Sequence, residues 1–134
     1  MLATVVQLPT ELLLARQLAD ALETPICLVD AEGNAVHYNE AAQSLLGQRG
    51  AAIEALTYLE LGARLAFTDV EGTPIAVDQL PAMIALHECR PAHRWLDIID
   101  LHGERRRVEA TAFPVRGDDG RMLGAVALFW PAEL

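Results

Sequence analysis

The side chains able to do chemistry in this chain include four histidines and two cysteines. His87, Glu88, Cys89 and His93 bring metal-ligand types close together in sequence, which could indicate a metal site. Pro91 interrupts the segment between them, however, and a proline ends a helix. The pattern therefore disfavours a metal held on one helical face.

The two cysteines, Cys27 and Cys89, are too few for a disulfide framework. We expect reduced thiols in a cytoplasmic protein. Cys89, next to Arg90, stays a candidate redox thiol.

Three further side chains could contact a small ligand. In a predicted helix, Leu80, Ile84 and His87 are spaced i, i+4, i+7, which predicts His87 on the apolar side. Trp95 and Tyr38 each combine an apolar ring with one polar group. Such residues can line a cavity or simply pack in a core, and both interpretations stay open.

The sequence gives little support to an enzymatic function. The chain has no Gly-x-Ser-x-Gly, no phosphate-binding glycine loop and no His-Glu-x-x-His. Asp97 and Glu109 are the acids that could serve a small α+β enzyme of isomerase or hydrolase type. That enzyme remains an alternative hypothesis, and the leading prediction is a non-catalytic protein.

Size and charge limit the function further. A chain of 134 residues is predicted to form one domain, and 52% hydrophobic residues argue against disorder. The net charge of −9 disfavours nucleic-acid partners and anionic membrane surfaces. No apolar run reaches the roughly 18 residues of a transmembrane helix.

The elements that must position these residues follow from periodicity and turn signals. Apolar spacing predicts an amphipathic helix from Thr10, as its N-cap, to Thr24-Pro25. Asn39 is predicted to cap a helix that ends at Gly47. Strands are predicted over 26–29, 35–38, 93–101, 105–115 and 121–130, and further helices over 51–56, 58–61 and 78–89.

The last predicted strand is apolar on both faces. Both faces must therefore be covered, the inner one by internal helices and the outer one by the N-terminal helix or a second copy of the chain. This predicts a homodimer. The predicted cap and dimer surface consists of Leu12, Ala15, Leu18, Ala19, Leu22, Leu123, Ala125, Ala127 and Phe129.

Three segments resemble the PAS domain family in the family's order. They are PICLVDAEGNAVHYNEAAQSLLG from Pro25, TDVEGTPIAVDQLPAMIAL from Thr68, and LHGERRRVEATAFPVRGDDGRMLGAVALF from Leu101. The resemblance covers about residues 25 to 130. It departs at Asp100–Gly103, where many relatives carry a Pro-Asp-Gly-like turn. It also departs after Trp130, which predicts either an excised piece or a stand-alone module acting in trans.

The resemblance implies an α+β PAS fold, a five-stranded antiparallel sheet with short helices on one face and the N-terminal amphipathic helix on the other. Residues 1–24 would form the cap helix and 25–131 the PAS domain. The implied function is sensory or protein-interaction signalling in the cytoplasm, through a homodimer and with a small-molecule ligand or a histidine kinase or other signalling partner in trans. Haem at His87 is the alternative cofactor. The implied ligand pocket is lined by Tyr38, Ile84, His87, Trp95, Val108, Ala110 and Leu128.

Overall fold

A computed structural model of the protein describes residues 8–46, 66–100 and 102–132. The described helices are α1 (Thr10–Asp20), α2 (Glu40–Leu46) and α3 (Pro81–Glu88), with a 3-10 turn at Val77–Gln79 before α3. The described strands are β1 (Ile26–Asp30), β2 (Ala35–Tyr38), β3 (Ala92–Ile99), β4 (Arg105–Arg116) and β5 (Met122–Pro131). The short helices predicted over 51–56 and 58–61 lie outside the described residues.

The strands form one antiparallel sheet in the order β2-β1-β5-β4-β3, so the last strand lies at its centre. The helix α3 packs on β3, β4 and β5, and α1 packs on β1, β4 and β5. Their contacts belong to two separate apolar clusters, one on each side of the sheet. The predicted five-stranded antiparallel sheet is confirmed. We call the side that faces α3 the inner face and the side that faces α1 the outer face.

Three helix boundaries differ from prediction, and one of them is the end of α1, which lies at Asp20 and not at Thr24. Pro9, and not Thr10, occupies the N-cap position of α1, and no side chain caps the helix there. The predicted helix over 78–89 is a 3-10 turn followed by α3, because Leu80 is extended and Pro81 starts the helix. Proline favours the first helical position, where its missing N–H is not needed.

The same type of turn occurs in three of the described loops. Asp30, Asp69 and Asp100 each use Oδ1 to accept the backbone N–H groups two and four residues later, at 2.9 to 3.0 Å. The residue three positions after each aspartate is a glycine with φ between 85° and 93°. An Asp-x-x-Gly signal with the same turn chemistry therefore recurs three times. It joins β1 to β2 and β3 to β4, and it shapes the loop before α3.

Candidate interaction face

The helix α1 covers only part of the outer face. Leu12 and Ala19 are buried, and Ala19 packs in a small cluster with Ile26, Leu28 and Val126. Between α1 and the sheet lies an open apolar groove of about 350 Å³. We call it the outer groove. It is lined by Glu11, Leu14, Ala15, Leu18, Ala19, Leu22, Ile26, Phe113, Val115, Val126 and Leu128.

The rim of the outer groove is unusually apolar for a protein surface. Leu18 is 63% exposed and Leu14 is 59% exposed, and both line the groove. Leu22 on the same side of α1 and Phe113 on β4 are also exposed. Contiguous exposed apolar side chains on a folded domain mark interaction surfaces. This rim is therefore the candidate site for docking.

One buried side chain fastens α1 to the rest of the fold. The Nδ2 group of Asn39 donates to the carbonyl oxygens of Ala19 at 2.9 Å and Thr24 at 2.7 Å. Its Oδ1 accepts the backbone N–H of Ile26 at 3.0 Å and of Ala42 at 2.9 Å. The predicted cap of α2 is confirmed, and the same residue also holds the end of α1 and the start of β1.

A second polar contact ties α1 to the edge strand. Nε2 of His37 on β2 lies 2.6 Å from Oδ1 of Asp20, the last residue of α1. His37 is buried and the Asp20 side chain is half exposed. Asn39 and this pair together fix the C-terminal end of α1, while packing of Leu12 fixes its start.

The start of α1 approaches the sheet at a glycine. A Cβ added to Gly124 of β5 would overlap the carbonyl oxygen of Val29 and crowd the side chain of Leu12. Only glycine fits where a backbone and a side chain come this close. Gly124 therefore determines how closely β1 and α1 pack on β5.

The structure reverses the predicted faces of β5 between Ala125 and Phe129. Ala125 and Ala127 are buried in the inner cluster, and Phe129 packs against it. Leu128, predicted to line an inner pocket, instead packs on the outer cluster beside Val126. Small side chains on the inner face let α3 approach the sheet closely, which explains the placement. Leu123, also predicted for the outer surface, is buried and belongs to neither cluster.

The cap residues of α1 divide into buried and exposed ones. Leu12 and Ala19 are buried and Ala15 is partly buried. Leu18 and Leu22 are exposed at the groove.

The predicted pocket residues do not all meet. Tyr38, Val108 and Ala110 are buried in the inner cluster. Ile84 is only half-buried. His87 is exposed, since α3 buries Pro81, Ala82, Met83, Ala85 and Leu86. The placement of His87 on the apolar side of its helix is therefore wrong, and a haem ligand facing the core from this position loses its support.

Trp95 was also predicted in the pocket, and this placement is wrong. It is 46% exposed and lies on the outer face, because its neighbours Leu96 and Ile98 occupy alternate positions in the inner cluster. The side chain opposite it on β4 is Glu109.

The run of three arginines binds buried aspartates. Arg105 and Arg107 reach the carboxylate of Asp97 at 3.2 and 2.8 Å. The hydrogen bond from Arg107, with help from Arg105, lowers the pKa of Asp97 against the opposing effect of burial. A carboxylate held ionised by two arginines is a structural acceptor, which weighs against Asp97 as a catalytic acid.

Arg106 pairs in the same way with Asp100 at 2.9 Å. Burial raises the pKa of Asp100, but the hydrogen bonds from Arg106 and from the backbone of Glu104 and His102 outweigh burial and lower the pKa overall. The guanidinium groups of all three arginines are thus anchored on two buried carboxylates.

The two thiols differ in reactivity. Cys27 is buried on the inner face, and burial raises its pKa to about 12 despite a hydrogen bond with Tyr38 that lowers it in part. Cys89 is exposed at the end of α3, in a left-handed conformation. Both are free. Only the thiolate is a nucleophile, so Cys27 is inert in the folded protein.

Comparison with known proteins agrees with this architecture. A family profile described as PAS fold matches residues 19–132. The chain belongs to the PAS fold family. Among curated proteins, no sequence matches the chain. In the described part of this PAS domain, no helix is long and apolar enough to cross a membrane.

Solved structures match the PAS domain along most of its length. The PAS domain of the fruit-fly ELK potassium channel superposes with a TM-score of 0.70 at 14% identity, covering 92% of this chain and 98% of that one. The PAS domain of Bordetella pertussis BvgS gives 0.62 at 20% identity, covering 92% and 86%. A domain of a sensor histidine kinase/response regulator from Geobacter sulfurreducens gives 0.60 at 22% identity, covering 87% and 90%. The chain is therefore similar in fold to these PAS domains and to this sensor histidine kinase domain.

Proposed function

We propose that this PAS domain is a cytoplasmic sensory and protein-interaction module that signals through a homodimer formed by its outer groove. Residues 25–131 act as the sensory domain and residues 1–24 as the cap that joins two copies. The observation that carries the proposal is the outer groove with its exposed rim of Leu14, Leu18 and Leu22.

The geometry of the rim favours a second copy as the occupant. We call the exposed leucines that line the outer groove (Leu14, Leu18 and Leu22) the leucine ridge. The leucine ridge and the outer groove lie on the same face of the domain. About a twofold axis, the leucine ridge of one copy can therefore enter the outer groove of the other. Phe113 stands on the sheet side of that groove and supplies an aromatic surface. A self-complementary interface requires that both the leucine ridge and the outer groove lie on the same surface, as they do here.

Asn39 provides the means by which the inner side of the domain influences the dimer. It caps α2 on one side and holds the carbonyl oxygens at the end of α1 on the other. A ligand or partner that shifts α2 would therefore shift the leucine ridge, by no more than its differential affinity for the two packings. We propose Tyr38, Val108 and Ala110 of the inner face as the ligand side.

The proposed output is contact with a histidine kinase or another signalling protein in trans. The similarity to the PAS domain of an ion channel and to a domain of a sensor histidine kinase supports a signalling role. The two free cysteines are compatible with the reducing cytoplasm.

Native mass spectrometry of freshly purified protein tests the proposal, because it reports oligomeric state and bound small molecules together. We expect a dimer, and an added mass that is lost on collisional activation if a ligand is retained. A monomer at every concentration would contradict signalling through a homodimer.

A further inference from the structure

Three side chains form a row across the outer face, next to the outer groove but outside its lining. Trp95 of β3 is opposite Glu109 of β4, and Glu109 is opposite Trp130 of β5. Their chain neighbours Leu96 and Val108 are buried in the inner cluster, so alternation directs this row to the outer face. We call these three residues the tryptophan row.

Both tryptophans of the chain are in this row, and both are exposed. Trp95 is 46% exposed and Trp130 is 42% exposed. Indole rings normally bury most of their surface, so two exposed ones beside a carboxylate indicate a contact surface. None of the three lines the outer groove. Glu109 lies four residues from Phe113 along β4, and Trp130 lies two residues from Leu128 along β5, so the row borders the groove at its β5 end.

The carboxylate of Glu109 has no guanidinium partner among the described residues. Its side-chain contact there is with His93, whose Nε2 lies 3.3 Å from Oε2. Arg107, two residues away on the same strand face, is held instead by Asp97 at 2.8 Å and by the carbonyl oxygen of Val70 at 3.1 Å. No described residue occupies Oε1 of Glu109, so this oxygen can accept from a donor outside the domain.

We propose that the tryptophan row binds the guanidinium group of an arginine presented by a partner protein. A guanidinium is planar, stacks on indole faces and donates to a carboxylate in a fork that the ammonium of lysine cannot match. Neighbouring strands lie about 4.8 Å apart, which puts the two tryptophan backbones about 10 Å apart with Glu109 midway between them.

Charge complementarity supports a basic partner. The chain carries 19 acidic and 10 basic residues, so a cationic segment is attracted to it at long range. The row is open rather than enclosed, so a free small cation gains few contacts there. An arginine fixed on a partner is held by that partner's other contacts, which makes a protein the fitting source.

The two tryptophans make the test direct, because their two indole N–H signals in a ¹⁵N-¹H spectrum report on this surface alone. Trp95→Phe and Trp130→Phe assign the two signals. The probe is the blocked tripeptide acetyl-Gly-Arg-Gly-amide, and its control is the same peptide with citrulline, which is neutral and nearly the same shape. Titration to about 50 mM is needed, since one stacked and paired side chain binds only in the millimolar range.

We expect both indole signals to move together and saturably with the arginine peptide, and at least about fivefold weaker binding of the citrulline peptide. Glu109→Gln should weaken binding of the arginine peptide about as much. His93→Ala frees the second carboxylate oxygen and should leave binding unchanged or stronger.

Equal shifts with arginine and citrulline, or unchanged binding in Glu109→Gln, would overturn the proposal. So would indole signals that change only on dilution of the protein, because a second copy would then cover the row. Leu18→Glu separates the two proposals, because it alters the outer groove and leaves the tryptophan row intact. Binding of the arginine peptide should therefore persist in that variant.

Discussion

The side-chain amide of Asn39 lies 2.9 Å from the carbonyl oxygen of Ala19, joining the first residue before α2 to the last turn of α1. The same side chain accepts N–H groups from Ile26 and Ala42. Three elements thus meet at one buried polar group, and each of its hydrogen bonds depends on the others being in place.

Asn39→Ala should destabilise the domain by about 2–4 kcal/mol, because buried donors and acceptors would be left without partners. Asn39→Asp should loosen α1 in particular, because a carboxylate in place of the amide would repel the carbonyl oxygens of Ala19 and Thr24. Urea unfolding measures the first effect, and hydrogen exchange of α1 amides measures the second. Gln17→Ala, an exposed change on α1, is the control and should cost under about 0.5 kcal/mol.

Asp97→Asn should lower stability at neutral pH by about 1–3 kcal/mol, less than for a fully buried pair because both arginines are half exposed. The folded pKa of Asp97 lies below its usual 3.8, mainly because of Arg107. Its carboxylate therefore stabilises the fold fully above about pH 4, and this contribution is lost as pH falls through the folded pKa.

Urea unfolding of wild type and Asp97→Asn between about pH 7 and pH 3 checks the sign. The two curves should converge as the pH falls, because the wild type loses a contribution that the variant never had. The exposed Asp118→Asn serves as control and should follow the wild type. A gap between wild type and Asp97→Asn that widens on acidification would contradict the ion-pair explanation.

Gly124→Ala should be among the most damaging single substitutions, with a cost of about 3 kcal/mol or more, because the new methyl group would overlap the carbonyl oxygen of Val29. Gly120→Ala is the comparison. Its φ is also positive at 79°, but no atom lies within 4 Å of the added carbon, so only the backbone cost of about 1 kcal/mol applies. Thermal unfolding of both variants should rank them in this order, and equal losses would be inconsistent with a steric cause.

A thiol reagent should modify one cysteine of the native protein. Cys89 is exposed and should react readily, whereas burial raises the pKa of Cys27 to about 12 and keeps it protonated. Titration with Ellman's reagent at pH 8 should give one fast equivalent, and a second only after unfolding. In Cys89→Ser the fast equivalent should disappear. Fast labelling of that variant would mean that the core opens readily around Cys27.

The order of elements was predictable because each carries a local signal. The Asp-x-x-Gly turns, the cap at Asn39 and the alternation in β4 depend on residues close together in sequence. The two side-chain sets of β5 were also separable by alternation. Alternation could not tell which of the two sets faces inward, because both sets are apolar. The small size of Ala125 and Ala127, opposite Val29 and Ala112 in the register, was the available clue.

His87 was misplaced for a definite reason. Its predicted position came from counting helical turns from Leu80, but Leu80 is extended and the helix starts at Pro81. Counting from the true start puts Ala82, Met83 and Leu86 on the buried side. The contacts of Asn39 with Ala19 and Thr24 could not be predicted either, since residues 15 to 20 positions away in sequence meet only after the sheet has formed.

The most direct test of the proposed homodimer is sedimentation equilibrium of wild type, Leu18→Glu and Leu13→Glu. Both changes place a charge at an exposed leucine of α1, but Leu18 lines the outer groove and Leu13 does not. We predict a wild-type dimer, a dissociation constant raised about tenfold or more in Leu18→Glu, and Leu13→Glu close to wild type. A monomeric wild type, or equal losses in both variants, would contradict docking through the outer groove.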